Sequence, residues 1–160
     1  MPEPLSPKPP RLSEVHTTEL VLPNDTNPLG NMLGGRVLYL IDIAGSMAAI
    51  RHAERVCVTA SIERVDFLRP VRVGQALILH ARPTWAGRTS VAVDVDVFSE
   101  DLATGSRSHT CSASLTFVAL GPDGRPAPVP PVVPETDDER RRYEAAERRA
   151  QERRAAKGEA

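Results

Sequence analysis

At 160 residues the chain is long enough to bury a sizeable core, and its 41% apolar and 26% charged residues are ordinary for a globular domain. Its 20 basic side chains nearly balance 21 acidic ones, so the net charge of −1 provides no overall field that would attract nucleic acid or an anionic membrane. Aromatic residues make up only 4% of the chain, so the core must consist mainly of aliphatic side chains.

Targeting and redox signals favour a cytoplasmic protein. The Pro-rich N-terminus lacks an apolar segment of signal-peptide length. The longest apolar run, residues 38–50, is interrupted by Asp42 and is too short to span a bilayer. Cys57 and Cys111 match no metal-binding or redox spacing, so we predict two reduced, buried thiols.

Composition divides the chain into three zones. Residues 1–11 contain five prolines and are predicted to form a flexible extension. Residues 12–134 form the predicted domain, which ends in a second Pro-rich stretch. Residues 135–160 are dense in Glu, Arg and Ala, so we expect a charged C-terminal helix or tail. Its acidic and basic side chains are interleaved, which argues against nucleic-acid binding.

Within the domain, hydrophobic patterning predicts a strand, a long helix and then four strands. The helix, residues 35–53, contains no proline and is apolar nearly all round, so we expect it to be buried. A lone apolar helix must be covered, so the predicted fold is α+β, an antiparallel sheet wrapped around one long central helix. The strands are predicted at residues 15–22, 56–67, 76–85, 90–99 and 108–120.

Asp42 interrupts the apolar sequence of this helix. A carboxylate there must be paired, hydrogen-bonded or placed at a cleft, because burying it bare is strongly unfavourable. Its neighbours on the helix surface are mostly small, including Gly35 and Gly45, which leaves room for a ligand. A salt bridge to an arginine at a packed interface is the alternative. The opposite face is predicted to pack in the core and consists of Val37, Leu40, Ala44, Met47 and Ala48.

The start of the helix offers a second chemical feature. The polar loop 25–31 leads into Gly34 and Gly35, which allow another backbone or a ligand to come close. The free N–H groups of the first turn can receive the negative charge of an oxyanion. A carboxylate about two turns along the helix is a suitable base or nucleophile. A simple tight turn explains the glycine pair equally well.

Several segments, in this order, resemble hotdog-fold acyl-CoA thioesterases of the cytosolic acyl-CoA hydrolase type. The resemblance begins with DTNPLGNMLGG at residues 25–35 and IDIAG at residues 41–45. It continues through residues 58–61, 66–71, 87–90, 116–120 and 134–136, and it spans roughly residues 15–136.

This resemblance implies a hotdog fold and the hydrolysis of acyl-CoA to free acid and coenzyme A. It assigns Asp42 the role of general base or nucleophile, and the backbone N–H of Gly35 that of oxyanion donor. Asn27 would place the attacking water or the substrate, and it would come from a different subunit than Asp42. A homodimer or a trimer of dimers, with sites at the dimer interface, is therefore implied.

By the same resemblance, coenzyme A lies near Thr59, Ser61, Gly87, Arg88, Thr89 and Ser90. Arg88 is a candidate phosphate ligand, because a guanidinium pairs well with phosphate oxygens. A solvated charge in a hairpin turn is the alternative. The resemblance implies no metal, cofactor or prosthetic group. Leu33 and Ile43 depart from the residues that relatives often carry, which leaves the acyl-chain preference open.

Two other functions remain possible for such a domain. A non-catalytic acyl-CoA-binding module would use the same pocket with a structural Asp42. A hotdog enzyme similar to enoyl-CoA hydratases would need a catalytic histidine, and none falls near Asn27 or Gly35. We therefore interpret the four histidines as structural or surface residues: His16, His52, His80 and His109.

Overall fold

The computed structural model describes residues 5–158. The chain forms a first strand, a long helix, four further strands and a second helix, with short 3-10 turns at Pro10–Leu12 and Pro23–Asp25. The strands are β1 (Val15–Leu20), β2 (Val56–Glu63), β3 (Ala76–Ala86), β4 (Ser90–Glu100) and β5 (Arg107–Leu120), and the helices are α1 (Gly34–Ala53) and α2 (Asp137–Ala156).

All five strands belong to one antiparallel sheet with the order β1-β3-β4-β5-β2. Because β2 follows α1 in the chain, the helix crosses one face of the sheet, here called the inner face, before β2 joins the edge opposite β1. The predicted architecture, an antiparallel sheet wrapped around one long helix, is confirmed.

The core lies between α1 and the inner face of the sheet. Small residues on the helix allow the close approach, since a Cβ added at Gly45 would lie only 3.2 Å from the ring of Phe117. Alternate residues of β3, β4 and β5 are fully buried against the helix, as expected for a sheet with one covered face. They include Leu77, Leu79, Val93, Val95, Leu115 and Phe117.

The expectation that α1 is buried on all sides was wrong. Met47, predicted to lie in the core, is 36% exposed, and three other large apolar side chains of the helix are also exposed. The reason is geometric, because a single sheet covers only one side of a helix. The exposed residues recur at helical spacing and form what we call the apolar stripe: Tyr39, Ile43, Met47 and Ile50.

Two predicted strands end earlier than expected. The first stops at Leu20, because Pro23 begins a 3-10 turn shortly afterwards. The strand predicted at residues 56–67 stops at Glu63, because Arg64 adopts a left-handed conformation with φ of 53° that interrupts the extended backbone.

The N-terminal segment differs from its prediction as a flexible extension. Lys8 pairs by backbone hydrogen bonds with Pro131 and Val133, so the described part of this segment is attached to the domain. Its Nζ donates to the carbonyl oxygens of Arg51 and His52 at 3.2 and 3.1 Å. A cation at this position satisfies free carbonyls and opposes the negative end of the helix dipole. Residues 1–4 of the predicted extension lie outside the described residues.

The charged C-terminal segment forms α2, which packs on the outer face of the sheet. The hydroxyl of Thr136 caps the helix by accepting a hydrogen bond from the N–H of Glu139 at 3.1 Å. A small apolar contact joins the helix to the sheet, formed by Trp85, Ala92, Tyr143, Ala146 and Ala150.

Arg142 provides the polar part of this attachment. Its guanidinium donates to Asp94 at 2.7 Å and to Asp96 at 3.3 Å on β4, and also to Asp138 at 2.9 Å. Burial raises the pKa of the Asp96 carboxyl. The hydrogen bond from Ser112 and the charge of Arg142 outweigh this effect and hold the pKa below its usual value. Asp96 thus remains an ionised partner of α2 at neutral pH.

We expect the substitution Arg142→Ala to lower the free energy of unfolding by about 1–3 kcal/mol, because it removes charge-assisted hydrogen bonds to two half-buried carboxylates that join α2 to the sheet. Chemical denaturation of both proteins measures the difference. Arg141→Ala is the matched control, since that side chain is 70% exposed on the same helix, and it should change stability by less than about 0.5 kcal/mol. Equal stability of the two variants would contradict the proposed attachment.

Candidate active site

Asp42 lies on the side of α1 that faces β2 and is half-buried. The hydroxyl of Thr59 donates a hydrogen bond to its Oδ1 at 2.7 Å. Within residues 5–158 no arginine or lysine forms an ion pair with Asp42, so the alternative of a structural salt bridge finds no support in this chain. The carboxylate is therefore oriented by a neutral donor, and its second oxygen is free to receive a proton or contact a substrate.

A β-bulge in β2 decides which side chains reach Asp42. The register against β5 shifts between Thr59 and Ser61, so Ala60 is an extra residue without an opposite partner. As a result, Thr59 points to the inner face while Ser61 lies on the outer face beside Thr116. The two residues predicted to bind coenzyme A therefore lie on opposite sides of the sheet.

Asn27 is held rigidly in the loop before α1. Its side-chain oxygen accepts hydrogen bonds from the N–H groups of Leu29 at 3.0 Å and Asn31 at 3.1 Å. Its backbone N–H donates to the carbonyl of Asn31, which closes the loop. Because the side-chain oxygen is already used, the side-chain NH₂ is the group that can donate to a ligand.

The first turn of α1 presents free backbone donors. Leu33 precedes the helix and supplies no side-chain cap, so the N–H groups of Gly34 and Gly35 have no helical acceptor. A Cβ added at Gly35 would meet nothing within 4 Å, so no other residue of this chain packs closely on the Cα of Gly35. Asp25 fixes the approach of the loop, since its Oδ1 accepts from Arg36 at 3.1 Å and its Oδ2 from the Leu22 N–H at 3.0 Å.

A single chain does not bring these groups to one point. Asp42 follows Gly35 by seven residues, which corresponds to a rise of about 10 Å along a helix. Asn27 belongs to the loop at the helix start and so lies near Gly35, away from Asp42. In one copy of the chain the predicted catalytic groups thus lie at two separate places, one at the helix start and one at its middle.

The loop 87–90 is the tight hairpin between β3 and β4. A Cβ added at Gly87 would lie 2.9 Å from the Ser90 hydroxyl and 3.0 Å from the Trp85 ring, so the glycine is required there. The backbone of this loop is fixed by hydrogen bonds from Ala119 to the Thr89 carbonyl and from Val129 to the Arg88 carbonyl. The Arg88 side chain is exposed and forms no side-chain hydrogen bond within the described chain.

Ser61 and Ser90 line a groove of about 210 Å³ on the outer face. Sequence analysis missed the cations of this groove, because it treated the C-terminal segment as separate from the domain. Arg153 pairs with Glu63 at 2.9 Å, whereas Arg154 and Lys157 form no ion pair among residues 5–158. Three basic residues within the last turns of a helix were the signal available in the sequence.

An apolar cavity of about 350 Å³ adjoins the start of α1. The ring of Phe67 covers Gly34, where an added Cβ would lie 3.4 Å from it. The remaining apolar walls are formed by Met32, Val37, Leu68 and Val71. The cavity therefore lies beside the free N–H groups and can accept an apolar group attached to the carbon that reacts there.

No helix among the described residues is long and apolar enough to cross a membrane. Neither Asp42 nor Asn27 belongs to a group of side chains suited to hold a metal ion in that part of the chain. The arrangement at α1 thus offers an oriented carboxylate, free backbone donors and an amide, which are groups suited to acyl transfer.

Comparison with known proteins identifies the family. The sequence model of the Thioesterase superfamily matches residues 29–106. An uncharacterized acyl-CoA thioester hydrolase of Bacillus subtilis is 43% identical over 141 residues, which cover 88% of this chain and 82% of that protein.

Solved structures agree with this assignment. A hexameric acyl-CoA thioesterase in its apo form has a TM-score of 0.90 at 44% identity and covers 95% of this chain and 97% of its own. An acyl-CoA hydrolase of Staphylococcus aureus has a TM-score of 0.87 at 35% identity, and the match covers 94% of this chain and 92% of that one. It was solved in complex with butyryl coenzyme A, coenzyme A and coenzyme A disulfide. The predicted resemblance is confirmed, and the chain belongs to the thioesterase superfamily of hotdog-fold proteins.

Proposed function

We propose that this protein hydrolyses acyl-CoA thioesters to a free acid and coenzyme A. The observation that carries the proposal is the Asp42 carboxylate, which Thr59 orients at 2.7 Å and no described cation neutralises. Its relatives are acyl-CoA thioester hydrolases at identities of 33–43%, which supports the same substrate class and reaction here.

The proposed mechanism uses only groups of the protein and needs no metal or cofactor. The Gly35 N–H, aided by the helix dipole, stabilises the oxyanion that forms as the thioester carbonyl is attacked. Asp42 either removes a proton from the attacking water or attacks the carbon itself. The Asn27 NH₂ aligns the water. In the first route the carbon–sulfur bond then breaks, and the proton held by Asp42 passes to the departing sulfur. In the second route the same bond breaks to leave an acyl–Asp42 anhydride, and water then hydrolyses the anhydride to the free acid and supplies the proton that the thiolate takes up.

Completing this site requires a second copy of the chain. The apolar stripe lies beside Asp42 on the helix surface, and the neighbouring strand β2 has an unpaired edge. Ile62 of β2 faces the same side of the sheet as the helix and is exposed as well, so stripe and edge form one apolar surface. A two-fold partner docked on this surface would bring its own Asn27 and Gly35 to Asp42. A relative solved as a hexamer supports further association, and we propose a trimer of dimers.

The outer groove fits the phosphates of coenzyme A. Its hydroxyls, Ser61 and Ser90, are hydrogen-bond donors, and Arg154 and Lys157 supply charge that no described acid neutralises. Arg88 at the hairpin is an additional candidate for the same phosphates. Phosphate and thioester would then be recognised on opposite faces of the sheet. The apolar cavity beside Gly34 would receive the acyl chain.

The histidines give no support to a hydratase. Among the described residues none lies beside Asp42 or Asn27: His16 and His80 lie on β1 and β3, His52 lies at the end of α1, and His109 contacts Ser112 on the outer face. A hydration mechanism that pairs histidine with a carboxylate is thus unavailable to this site. Because coenzyme A thioesters are made and consumed inside cells, we also propose a cytoplasmic location.

The substitution Asp42→Asn is expected to lower kcat by at least about 100-fold, because the amide can neither accept a proton nor attack. Thiol release from short to long acyl-CoAs, followed with a thiol-reactive dye, measures the effect. Asp101→Asn is the matched control, because this exposed turn residue keeps its acceptor oxygen, and it should retain full activity.

Other outcomes distinguish the alternatives. Undiminished activity of Asp42→Asn would contradict the mechanism. Tight binding of palmitoyl-CoA by the wild-type protein without thiol release from any substrate would identify a non-catalytic binding module. Formation of a hydroxyacyl product from an enoyl-CoA would identify a hydratase.

A shared site predicts complementation between two inactive variants. Asn27→Asp keeps the oxygen that closes the loop but removes the NH₂ donor. When it is co-expressed with Asp42→Asn, each mixed dimer contains one intact site, so activity should recover to about a quarter of the wild-type value for random pairing. Mass spectrometry verifies that mixed oligomers form. If they form and stay inactive, both residues act within one chain.

The groove assignment predicts a change in KM. Removing two phosphate-binding cations with Arg154→Ala and Lys157→Ala should raise the KM for acyl-CoA by about 10-fold or more and leave kcat nearly unchanged. A thioester that lacks the phosphates, such as an acyl-pantetheine, should be hydrolysed equally by variant and wild type. Arg141→Ala on the exposed side of α2 is the control and should behave as wild type. An unchanged KM would contradict the groove assignment and favour Arg88 as the phosphate ligand.

A further inference from the structure

A cluster of three potential metal ligands lies at the edge of the sheet opposite β2. His16 on β1 and His80 on β3 occupy directly opposed positions of the antiparallel pair. Glu14 immediately precedes β1, and its backbone carbonyl accepts a hydrogen bond from Arg51 at 2.6 Å, which fixes its position. The ligand atoms of these three side chains all lie within 4.8 Å of one another.

The distances in this cluster are too long for hydrogen bonds and close to those around a shared ion. Glu14 Oε2 lies 3.9 Å from His16 Nε2 and 3.7 Å from His80 Nε2. Direct hydrogen bonds between nitrogen and oxygen are about 2.7–3.2 Å long. Two ligands that each lie about 2.0–2.1 Å from a tetrahedral zinc ion are about 3.4 Å apart. Closing the cluster onto a metal therefore requires the ligand atoms, which now lie within 4.8 Å of one another, to move closer together.

The Nε2 atom of His80 shows that the cluster is incomplete as it stands. This atom is buried and has no hydrogen-bond partner among the described residues, although buried polar atoms are nearly always satisfied. It points toward the carboxylate of Glu14 but remains beyond hydrogen-bonding distance. A bound cation would satisfy the nitrogen and the carboxylate together.

We propose that Glu14, His16 and His80 bind a divalent transition-metal ion. Two imidazoles and one carboxylate form a ligand set typical of zinc, and three protein ligands leave a fourth position for water. The two rings now stack with their centroids 4.1 Å apart and their planes at 16°. The nitrogen lone pairs of His16 and His80 can converge on one ion only after one of the two rings rotates. His16 can turn because its side chain is 65% exposed.

The metal would link an edge strand to its neighbour. β1 is paired on one side only, by β3, and a bridge from His16 to His80 would fasten it there. The cluster lies at the opposite edge of the sheet from β2 and Thr59, so the ion takes no part in the acyl transfer at Asp42. Sequence spacing gave no indication of this site, because the two histidines meet only through the pairing of β1 with β3.

Calorimetric titration with Zn²⁺ tests the proposal on the full-length protein, prepared without a histidine tag and stripped with a chelator. We expect one Zn²⁺ per chain. His16→Ala and His80→Gln should each weaken binding by at least about 10-fold, since each removes one of three ligands. His109→Ala removes an exposed histidine elsewhere and is the matched control, with unchanged affinity. Zn²⁺ should also raise the Tm of the wild type and of His109→Ala, but not that of His16→Ala.

Two results would overturn the metal site. One is the absence of stoichiometric Zn²⁺ binding, and the other is equal affinity in His16→Ala and His109→Ala. If His80→Gln fails to fold, His16→Ala decides, because that exposed side chain contributes little to packing. Substitution by Co²⁺ gives a second readout, since visible absorption bands typical of tetrahedral nitrogen and oxygen ligation should appear in the wild type and disappear in His16→Ala.

Discussion

The close packing of α1 on the inner face of the sheet is the constraint on which the other features depend. Small residues allow this close contact, since a Cβ added at Gly45 would lie only 3.2 Å from the ring of Phe117. The sheet covers one side of the helix, so the apolar stripe on the other side stays exposed in a single copy of the chain. The same placement puts Asp42 at the boundary between covered and uncovered sides, within reach of Thr59 on β2.

The sequence was sufficient to predict the element order and to single out Asp42 as a carboxylate in an apolar helix. An apolar helix of this length must pack against another element, and a lone carboxylate within it must be paired, hydrogen-bonded or placed at a cleft. It did not reveal that Met47 is exposed, because local pattern does not show which side of an apolar helix the sheet covers. The sequence also did not show that Thr59 and Ser61 lie on opposite faces of the sheet. Residues two apart in a regular strand share a face, and alternation alone does not reveal that Ala60 is an extra residue, which places Ser61 on the other face.

Charge on the outer face joins the C-terminal segment to the domain. Evenly interleaved acids and bases in residues 135–160 indicate a solvated surface, and in sequence nothing distinguishes Arg142 from its neighbours. Its role follows from Asp94 and Asp96, two carboxylates on one strand that face the same helix. The helix they hold then presents Arg154 and Lys157 to the groove at Ser61. A boundary at residue 134 is therefore a change in composition and not a division of the structure.

The contacts of Lys8 have a consequence for the order of folding. Its backbone pairs with residues 131–133, and its side chain caps the end of α1. During synthesis the N-terminal segment emerges first, but its pairing partner emerges only after all five strands have been made. Closing so long a loop carries a large entropic cost, which favours late formation of this contact. The segment around Lys8 is thus among the last to dock, although it is made before the strands, and the helix acquires its cap only once the domain is essentially complete.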